Sequence, residues 1–359
     1  SDTARLCADG EPVSPPGMQV RAVLGVDDAA VLLAVAEDER EQRVARLDTA
    51  GAWSMLTAGG AMATARGAGG TLVHRLDTLD AVAPSIAVTA EPASHALGVH
   101  VVEPDVTPQP MFLPRASSTD PRVAVLLPTS PHPRPLPVLL DPYGGPHAQR
   151  VVAAARAYLE SQWWADQGYV VVVAEGPGTP GSPHWERAMS GGLAQPALAA
   201  QVRALEMVAT ALGEQADLTR VAIRGWSFGG YLAALAALER PDVVHAAIAG
   251  APVTDWALYD TAYTERYLGL PAEHPDLYAS QSLLRRAAQL RRPLMLVHGL
   301  ADDNVLVAHS LQLSSALLAA GRPHRFLPLS GVTHMASNED VAENLLQAQR
   351  DFLVEALRR

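Results

Sequence analysis

The stretch GWSFGG, residues 225–230, joins two runs of opposite character. The apolar run RVAIR (220–224) precedes it, and the alanine-rich run YLAALAALER (231–240) follows it. The first run predicts a buried strand and the second predicts a helix. Ser227 therefore lies in a tight turn between a strand and a helix, where small flanking residues avoid collisions with neighbouring backbone. A serine in this position is a candidate nucleophile.

The same alternation of strands and helices runs through the rest of the chain. Apolar strand-like runs are found at 137–141, 169–175, 220–225, 246–252, 293–299 and 324–329. Helical runs are found at 193–213, 231–240, 308–321 and 338–359. This pattern predicts an α/β fold with a mostly parallel central sheet that is covered on both faces. A Gly-x-Ser-x-Gly turn between a strand and a helix is typical of α/β hydrolases, where it is called the nucleophile elbow.

A serine hydroxyl needs a histidine to remove its proton, and the histidine needs a carboxylate to hold its tautomer. In α/β hydrolases these residues follow in the order serine, acid, histidine. Asp302 in LVHGLADDNV and His334 in LSGVTHMAS both come directly after apolar strands. The carboxyl ends of parallel strands are where such residues converge. Asp303 is a competitor for the acid, whereas His298 lies inside a strand and is predicted to be a packed strand residue.

Residues 20–102 have a different pattern, in which short β-type runs are separated by turns. The runs are VLLAVAED, RVARLDTAG, WSMLTAGG, TLVHRLDT and SIAVTAEP. Blades of about 40 to 50 residues would make roughly two propeller blades here, and a closed propeller has about four to eight. The chain also begins without methionine, so we expect it to be the C-terminal part of a longer polypeptide. A small self-contained β domain is the alternative.

Proline is dense from Pro104 to Pro137, which predicts an extended connection between domains. We therefore assign residues 1–103 to the C-terminal part of a β-propeller, incomplete at roughly two blades. Residues 104–359 are assigned to an α/β-hydrolase catalytic domain that includes the proline-rich entry.

The composition excludes several classes of function. The net charge is −11, and the 27 basic residues, all arginines, form no cluster, so we predict no nucleic-acid partner. No apolar run is long enough to cross a bilayer, and the opening SDTARLCADGEP lacks the features of a signal peptide. Cys7 is the single cysteine, which excludes an internal disulfide and a thiolate metal cluster and fits a cytoplasmic location. We expect no membrane partner, cofactor or metal.

From about Met111 to Arg359 the sequence resembles the prolyl oligopeptidase family, and within it the dipeptidyl peptidase IV group. The resemblance rests on the stretches PVLLDPYGGPHAQ, RVAIRGWSFGGY, APVTDWALYDTAYTERYLGLP and VHGLADDNV. It implies an α/β hydrolase capped by a β-propeller, and a serine peptidase that releases N-terminal dipeptides after proline or alanine. In that family the acid is the first aspartate of Ala-Asp-Asp-Asn, which is Asp302 here.

The resemblance also implies the remaining site residues. Tyr143 and the backbone N–H of Phe228 would form the oxyanion hole. Val253, Trp256, Tyr259 and Tyr263 would form the pocket for the residue before the cleaved bond, with Asn304 as a side-chain donor to the substrate backbone and Val305 as another pocket wall. Without the resemblance, three aromatic residues so close together more often belong to a core.

The sequence departs from the family at two places. The usual Asp-Gly-Arg-Gly-Ser becomes Glu175-Gly176-Pro177-Gly178-Thr179, and Val332-Thr333 precede the histidine. No acidic anchor for a substrate ammonium can be assigned, so an oligopeptidase, a tripeptidyl peptidase or an acylaminoacyl peptidase stays open. A carboxylesterase and a noncatalytic binding module are alternatives from other classes. The expected partner is a peptide substrate, while a homo-oligomer and a separate N-terminal propeller portion stay open.

Overall fold

The computed structural model describes residues 3–68, 70–90 and 93–358. The chain divides into two compact units. The first consists of Ser1–Pro110, Val151–Trp163 and Gly181–Trp185, and the second consists of Met111–Arg150, Trp164–Pro180 and Glu186–Arg359. Each unit has its own buried apolar core.

The first unit contains a short hairpin and two antiparallel sheets of four strands each. The hairpin pairs β1 (Cys7–Ala8) with β2 (Glu11–Pro12). One sheet is formed, in this order, by β3 (Gln19–Val26), β4 (Ala30–Ala36), β5 (Arg43–Asp48) and β6 (Trp53–Met55). The other is formed, also in chain order, by β7 (Ala61–Ala68), β8 (Thr71–Thr78), β9 (Ser85–Ala90) and β10 (Ala93–Leu97).

Small and branched apolar side chains form the cores of these two sheets. Leu33 and Val35 of β4 pack with Ala45 of β5 on one face. Val44 of β5 packs with Ala63 of β7 in a second cluster, which joins the two sheets. The predicted short strands are therefore present, and β3, β7 and β10 are three strands that are not among the predicted runs.

The second unit is built on one sheet of eight strands. Its strands are β11 (Met111–Phe112), β12 (Arg122–Leu126), β13 (Leu136–Leu140), β14 (Val170–Glu175), β15 (Ala216–Trp226), β16 (Ala246–Gly250), β17 (Leu294–Gly299) and β18 (Arg325–Leu329). Their order in the sheet is β11-β12-β14-β13-β15-β16-β17-β18. From β14 to β18 every neighbouring pair is parallel, while β11 and β12 pair antiparallel at one edge. The predicted α/β fold with a mostly parallel sheet is confirmed.

Helices lie between the later strands along the chain and after the last one. They are α1 (Leu159–Asp166), α2 (Pro183–Glu186), α3 (Ala194–Leu212), α4 (Phe228–Glu239), α5 (Thr261–Leu268), α6 (Pro275–Gln281), α7 (Ala308–Ala319) and α8 (Glu339–Ala356). Short 3₁₀ helices lie at Ala155–Tyr158, Arg187–Met189, Gly213–Gln215, Trp256–Leu258 and Leu284–Gln289. Helix α4 is buried from Phe228 to Leu238, as its alanine and leucine content predicts. Among the described residues, no helix has the length and apolar character needed to cross a membrane.

The proline-dense segment differs from its prediction. Residues 122–126 form β12, whose five residues are all buried, and Met111–Phe112 pair with it as β11. The run RVAVL is long and apolar enough to join the sheet although prolines flank it. The prediction of an extended connection is therefore wrong for these residues.

Candidate active site

Ser227 lies between the end of β15 and the start of α4, in the turn predicted from the sequence. Its φ is 59°, a left-handed conformation that a residue with a side chain rarely adopts. Its N–H donates to the carbonyl of Gly250 at 2.9 Å, and its own carbonyl accepts from the N–H of Tyr231 at 2.9 Å. The strained turn is thus held from the neighbouring strand and from the first turn of α4.

The positions of Gly225 and Gly229 leave no room for a side chain. A Cβ on Gly225 would lie 2.3 Å from the carbonyl oxygen of Gly229, and a Cβ on Gly229 would lie 2.4 Å from the carbonyl oxygen of Pro142. Both contacts are with backbone, which cannot move aside as a flexible side chain can. Gly225 therefore lets the end of β15 approach α4, and Gly229 lets the loop after β13 approach α4 beside the serine.

Asp302 and His334 meet at the carboxyl ends of β17 and β18. Oδ2 of Asp302 lies 2.8 Å from Nδ1 of His334. Oδ1 of Asp302 accepts from the backbone N–H groups of Asn304 at 3.0 Å and Val305 at 2.9 Å. The Asp302 side chain is fully buried, and these bonds fix its carboxylate. A bond from Nδ1 to a carboxylate leaves Nε2 of His334 to accept a proton.

The competitor residues have other environments. His298 is fully buried in β17, where its Nδ1 lies 2.7 Å from the Ser310 hydroxyl and its Nε2 lies 2.7 Å from the Val305 carbonyl. Burial lowers the pKa of His298. Nε2 of His298 also lies 3.4 Å from Oδ2 of Asp302, so it faces the acid as a neutral neighbour. Asp303 is exposed to solvent.

The structure shows one residue near the site that the sequence analysis did not identify. Nε1 of Trp226 donates to the backbone carbonyl of His334 at 2.6 Å. The Trp226 ring covers Gly250, where a Cβ would come within 2.0 Å of the ring. The residue beside the candidate nucleophile thus holds the loop of the candidate base. Among the described residues, neither the Ser227 hydroxyl nor Nε2 of His334 has a hydrogen-bond partner. In unliganded enzymes the hydrogen bond between nucleophile and base often forms only when substrate binds.

Tyr143 and Phe228 lie beside each other. Their ring centroids are 6.0 Å apart. Burial raises the pKa of Tyr143 to about 12, so its hydroxyl keeps its proton at neutral pH and can donate a hydrogen bond. Phe228 is the first residue of α4, and the first N–H groups of a helix have no partner within it.

Aromatic side chains form a continuous cluster next to these residues. Trp256 stacks on Tyr263 with the centroids 6.2 Å apart, and Tyr259 meets both rings edge-on. Trp256 is 1% exposed and also packs against Phe228, so this residue does belong to the core. Tyr259 and Tyr263 are half-buried, and Val253 is buried. Burial raises the pKa of Tyr263.

His147 is a second residue that the sequence analysis did not single out. Its φ is 71°, and its Nε2 lies 2.7 Å from the Tyr267 hydroxyl. Its ring also meets Tyr263 edge-on at 5.6 Å. Because His147 is only four residues after Tyr143, the turn it occupies joins the oxyanion candidate to the aromatic cluster.

The family profile of the prolyl oligopeptidases matches residues 155–359. The chain belongs to the prolyl oligopeptidase family. Dipeptidyl peptidase 8 of Homo sapiens is 40% identical to it over 197 residues, which are 52% of this chain and 22% of that protein. The probable dipeptidyl-aminopeptidase B of Emericella nidulans is 36% identical over 191 residues, or 51% of this chain and 20% of that protein.

Two solved structures superpose on nearly the whole chain. Dipeptidyl peptidase 4 of Porphyromonas gingivalis has a TM-score of 0.87 at 25% identity, covering 97% of this chain and 52% of that one. A putative dipeptidyl aminopeptidase IV from Bacteroides ovatus has a TM-score of 0.84 at 22% identity, with 97% and 51% covered, and shows the same fold. The chain thus spans about a fifth of the curated relatives and about half of the structural ones in length.

Proposed function

We propose that this chain carries the catalytic domain of a serine dipeptidyl peptidase that releases N-terminal dipeptides after proline or alanine. Ser227 is the nucleophile, His334 the general base and Asp302 the residue that orients the base. The observation that carries this proposal is the 2.8 Å hydrogen bond between Asp302 and His334. Trp226 holds the loop of His334 beside the nucleophile elbow. Family membership and the names of the relatives support it.

The proposed reaction proceeds in two steps. As Oγ of Ser227 attacks the carbonyl carbon, Nε2 of His334 takes the hydroxyl proton, and the Tyr143 hydroxyl and the Phe228 N–H donate to the developing oxyanion. His334 then gives the proton to the leaving amine, which breaks the peptide bond and leaves an acyl ester on Ser227. A water molecule hydrolyses this ester with His334 again acting as the base.

The aromatic cluster is proposed as the pocket for the residue before the cleaved bond. Tyr259 and Tyr263 present rigid, half-buried rings, which bind a proline ring with little loss of side-chain entropy. Trp256, Val253 and Val305 are buried and support this pocket from the core, and the Asn304 side chain donates to the substrate backbone.

The two antiparallel sheets of the first unit are proposed to be the last blades of a β-propeller. Each has four strands in sequential order, which is the arrangement of a propeller blade. The near-complete superposition on the Porphyromonas gingivalis protein supports this interpretation. The domain division at residues 103 and 104 belongs to the same proposal.

A fluorophosphonate probe tests the proposed nucleophile. It should label the wild-type chain at Ser227 and should not label Ser227→Ala. Chromogenic arylamides then test the specificity of the full-length protein: Ala-Pro arylamide with a free amino group should be cleaved, and its N-acylated form should not. Cleavage of the blocked form would instead favour an oligopeptidase or acylaminoacyl peptidase, and ester hydrolysis alone would favour a carboxylesterase.

A further inference from the structure

Five charged side chains form a connected chain of contacts in the second unit, near the carboxyl ends of its parallel strands. Its members, called the charge chain here, are Arg122, Glu175, Arg150, Asp141 and Arg224. They come from β12, the end of β14, the loop after β13, the end of β13 and β15. In the sequence, Glu175 stands out only as a departure from the pattern of the family.

The first half of the charge chain anchors the far end of the loop that carries Tyr143. Nη2 of Arg122 lies 3.1 Å from Oε2 of Glu175, and these side chains are 3% and 1% exposed. Oε1 of Glu175 accepts from the backbone N–H of Arg150. Glu175 thus fixes the backbone at the end of the loop, and Arg122 compensates its charge.

The second half closes that loop upon itself. Arg150 donates from Nη1 to the Asp141 carbonyl at 3.1 Å and from Nη2 to Oδ2 of Asp141 at 3.2 Å. Residues 141–150 therefore form a loop whose two ends are joined by one guanidinium. Gly144 and His147 inside it have φ values of 72° and 71°, so the loop departs from ordinary extended backbone and depends on contacts at its ends.

Asp141 connects this loop to the strand of the nucleophile. Its second oxygen, Oδ1, accepts from Nη1 of Arg224 at 3.1 Å. Arg224 is three residues before Ser227 in β15, and Asp141 is two residues before Tyr143. The Arg224 guanidinium also lies over the Trp164 ring at 5.1 Å, which limits its movement. One buried carboxylate therefore couples the two elements whose relative position sets the oxyanion hole.

Stability alone does not explain this arrangement. Removing two carboxylates and a guanidinium from water costs free energy that their mutual attraction often does not recover, so a buried ion pair is weak evidence for stability. Two charge-assisted bonds to one carboxylate do, however, define a distance and a direction. This geometry favours a role in placing the Tyr143 loop against β15.

We propose that Asp141 is a positioning residue for the oxyanion hole, which it serves by holding the Tyr143 hydroxyl at a fixed place relative to Ser227. This inference rests on the proposed function. Asp141 does not touch the substrate. It acts through Tyr143, and its loss should therefore remove the benefit of the Tyr143 hydroxyl.

Hydrolysis of a p-nitrophenyl ester by the 359-residue chain tests this role in a double-mutant cycle. Asp141→Asn should lower kcat by about tenfold to 100-fold, with KM within about threefold. Tyr143→Phe should cost about 100-fold to 1000-fold in the wild type but only about tenfold in the Asp141→Asn background. The two effects should therefore be far from additive.

A second ion pair of the same unit provides the matched control. Glu239, at the last residue of α4, pairs with Arg286, and both side chains are largely buried. Glu239→Gln removes a charge from that pair at the end of the helix opposite Ser227. In this background Tyr143→Phe should keep its full effect on kcat.

Additive effects of Asp141→Asn and Tyr143→Phe would overturn the inference. Should Asp141→Asn fail to fold by circular dichroism, Arg150→Gln breaks the same loop closure from a partly exposed side chain and must shrink the Tyr143→Phe effect likewise. The activity of the wild-type chain distinguishes a failure of this inference from a failure of the proposed function. A wild-type chain that neither hydrolyses the ester nor reacts with fluorophosphonate contradicts the proposed function, whereas an active wild type with additive variants contradicts only the role of Asp141.

Discussion

The indole N–H of Trp226 and the backbone carbonyl of His334 form a 2.6 Å hydrogen bond across the candidate active site. These residues are 108 positions apart in the chain. Trp226 is next to Ser227, so the bond ties the loop of the base directly to the nucleophile elbow. The same loop packs on Gly299, where a Cβ would come within 2.4 Å of the Val332 and Thr333 carbonyls. The position of His334 thus depends on a side chain from one strand and a bare backbone on another.

Trp226→Phe should keep the ring over Gly250 but remove the bond to His334. We expect kcat/KM for a p-nitrophenyl ester to fall about tenfold, because a small misplacement of the base slows proton transfer. The rate of fluorophosphonate labelling should fall in parallel. Trp53→Phe is the control, since Nε1 of Trp53 also donates to a backbone carbonyl, that of Val13, but lies in the first unit. An unchanged labelling rate in Trp226→Phe would contradict the role of this bond.

The elements that the sequence predicts are those that follow from local pattern. The elbow, the parallel strands and the residues after them can be identified because apolar runs and small residues indicate the local backbone conformation. Two bonds could not be predicted from the sequence: the one between Trp226 and His334 and the one between Asp141 and Arg224. Each depends on how the ends of separate strands align. The antiparallel strand β12 was obscured by the prolines around it. Residues 261–268 read as pocket sequence, and their helix α5 was not predicted.

The choice between Asp302 and Asp303 can be tested directly. Asp302 is buried and bonded to Nδ1 of His334, whereas Asp303 is exposed. Asp302→Asn should therefore lower kcat by about four orders of magnitude, because the amide stabilises the wrong tautomer of the base. Asp303→Asn should change kcat by less than about threefold, as a surface substitution does. Steady-state kinetics on one ester substrate compares the two, and the reverse order would assign the acid to Asp303.

The Tyr143 hydroxyl is expected to act as a neutral donor. Tyr143→Phe should reduce kcat by about 100-fold to 1000-fold with little change in KM, because the donor acts mainly in the transition state. Since burial raises the pKa of Tyr143 to about 12, its ionisation should not limit the rate below about pH 11. Any fall in kcat between pH 8 and 10 should therefore persist in Tyr143→Phe. Loss of that fall in the variant would show that Tyr143 ionises at a lower pH.

A buried histidine of α7 should make the stability of the fold depend on pH. His309 is 1% exposed in α7, and its Nδ1 accepts from the Thr254 N–H at 3.2 Å. Burial, together with the nearby His298, lowers the pKa of His309 to about 4. Below about pH 6.5 the unfolded chain binds a proton on this histidine that the folded chain does not accept.

The free energy of unfolding should therefore fall as the pH drops from about 6.5 towards 4, by about 3 kcal/mol from this group alone. His298, whose pKa burial also lowers, contributes in the same direction. Urea unfolding at several pH values measures the slope. His309→Gln should reduce the slope by about one proton, whereas Leu317→Ala in the same helix should lower stability equally at every pH. An unchanged slope in His309→Gln would mean that the pKa of this histidine is the same in the folded and unfolded chains, which would contradict the effect of burial on it.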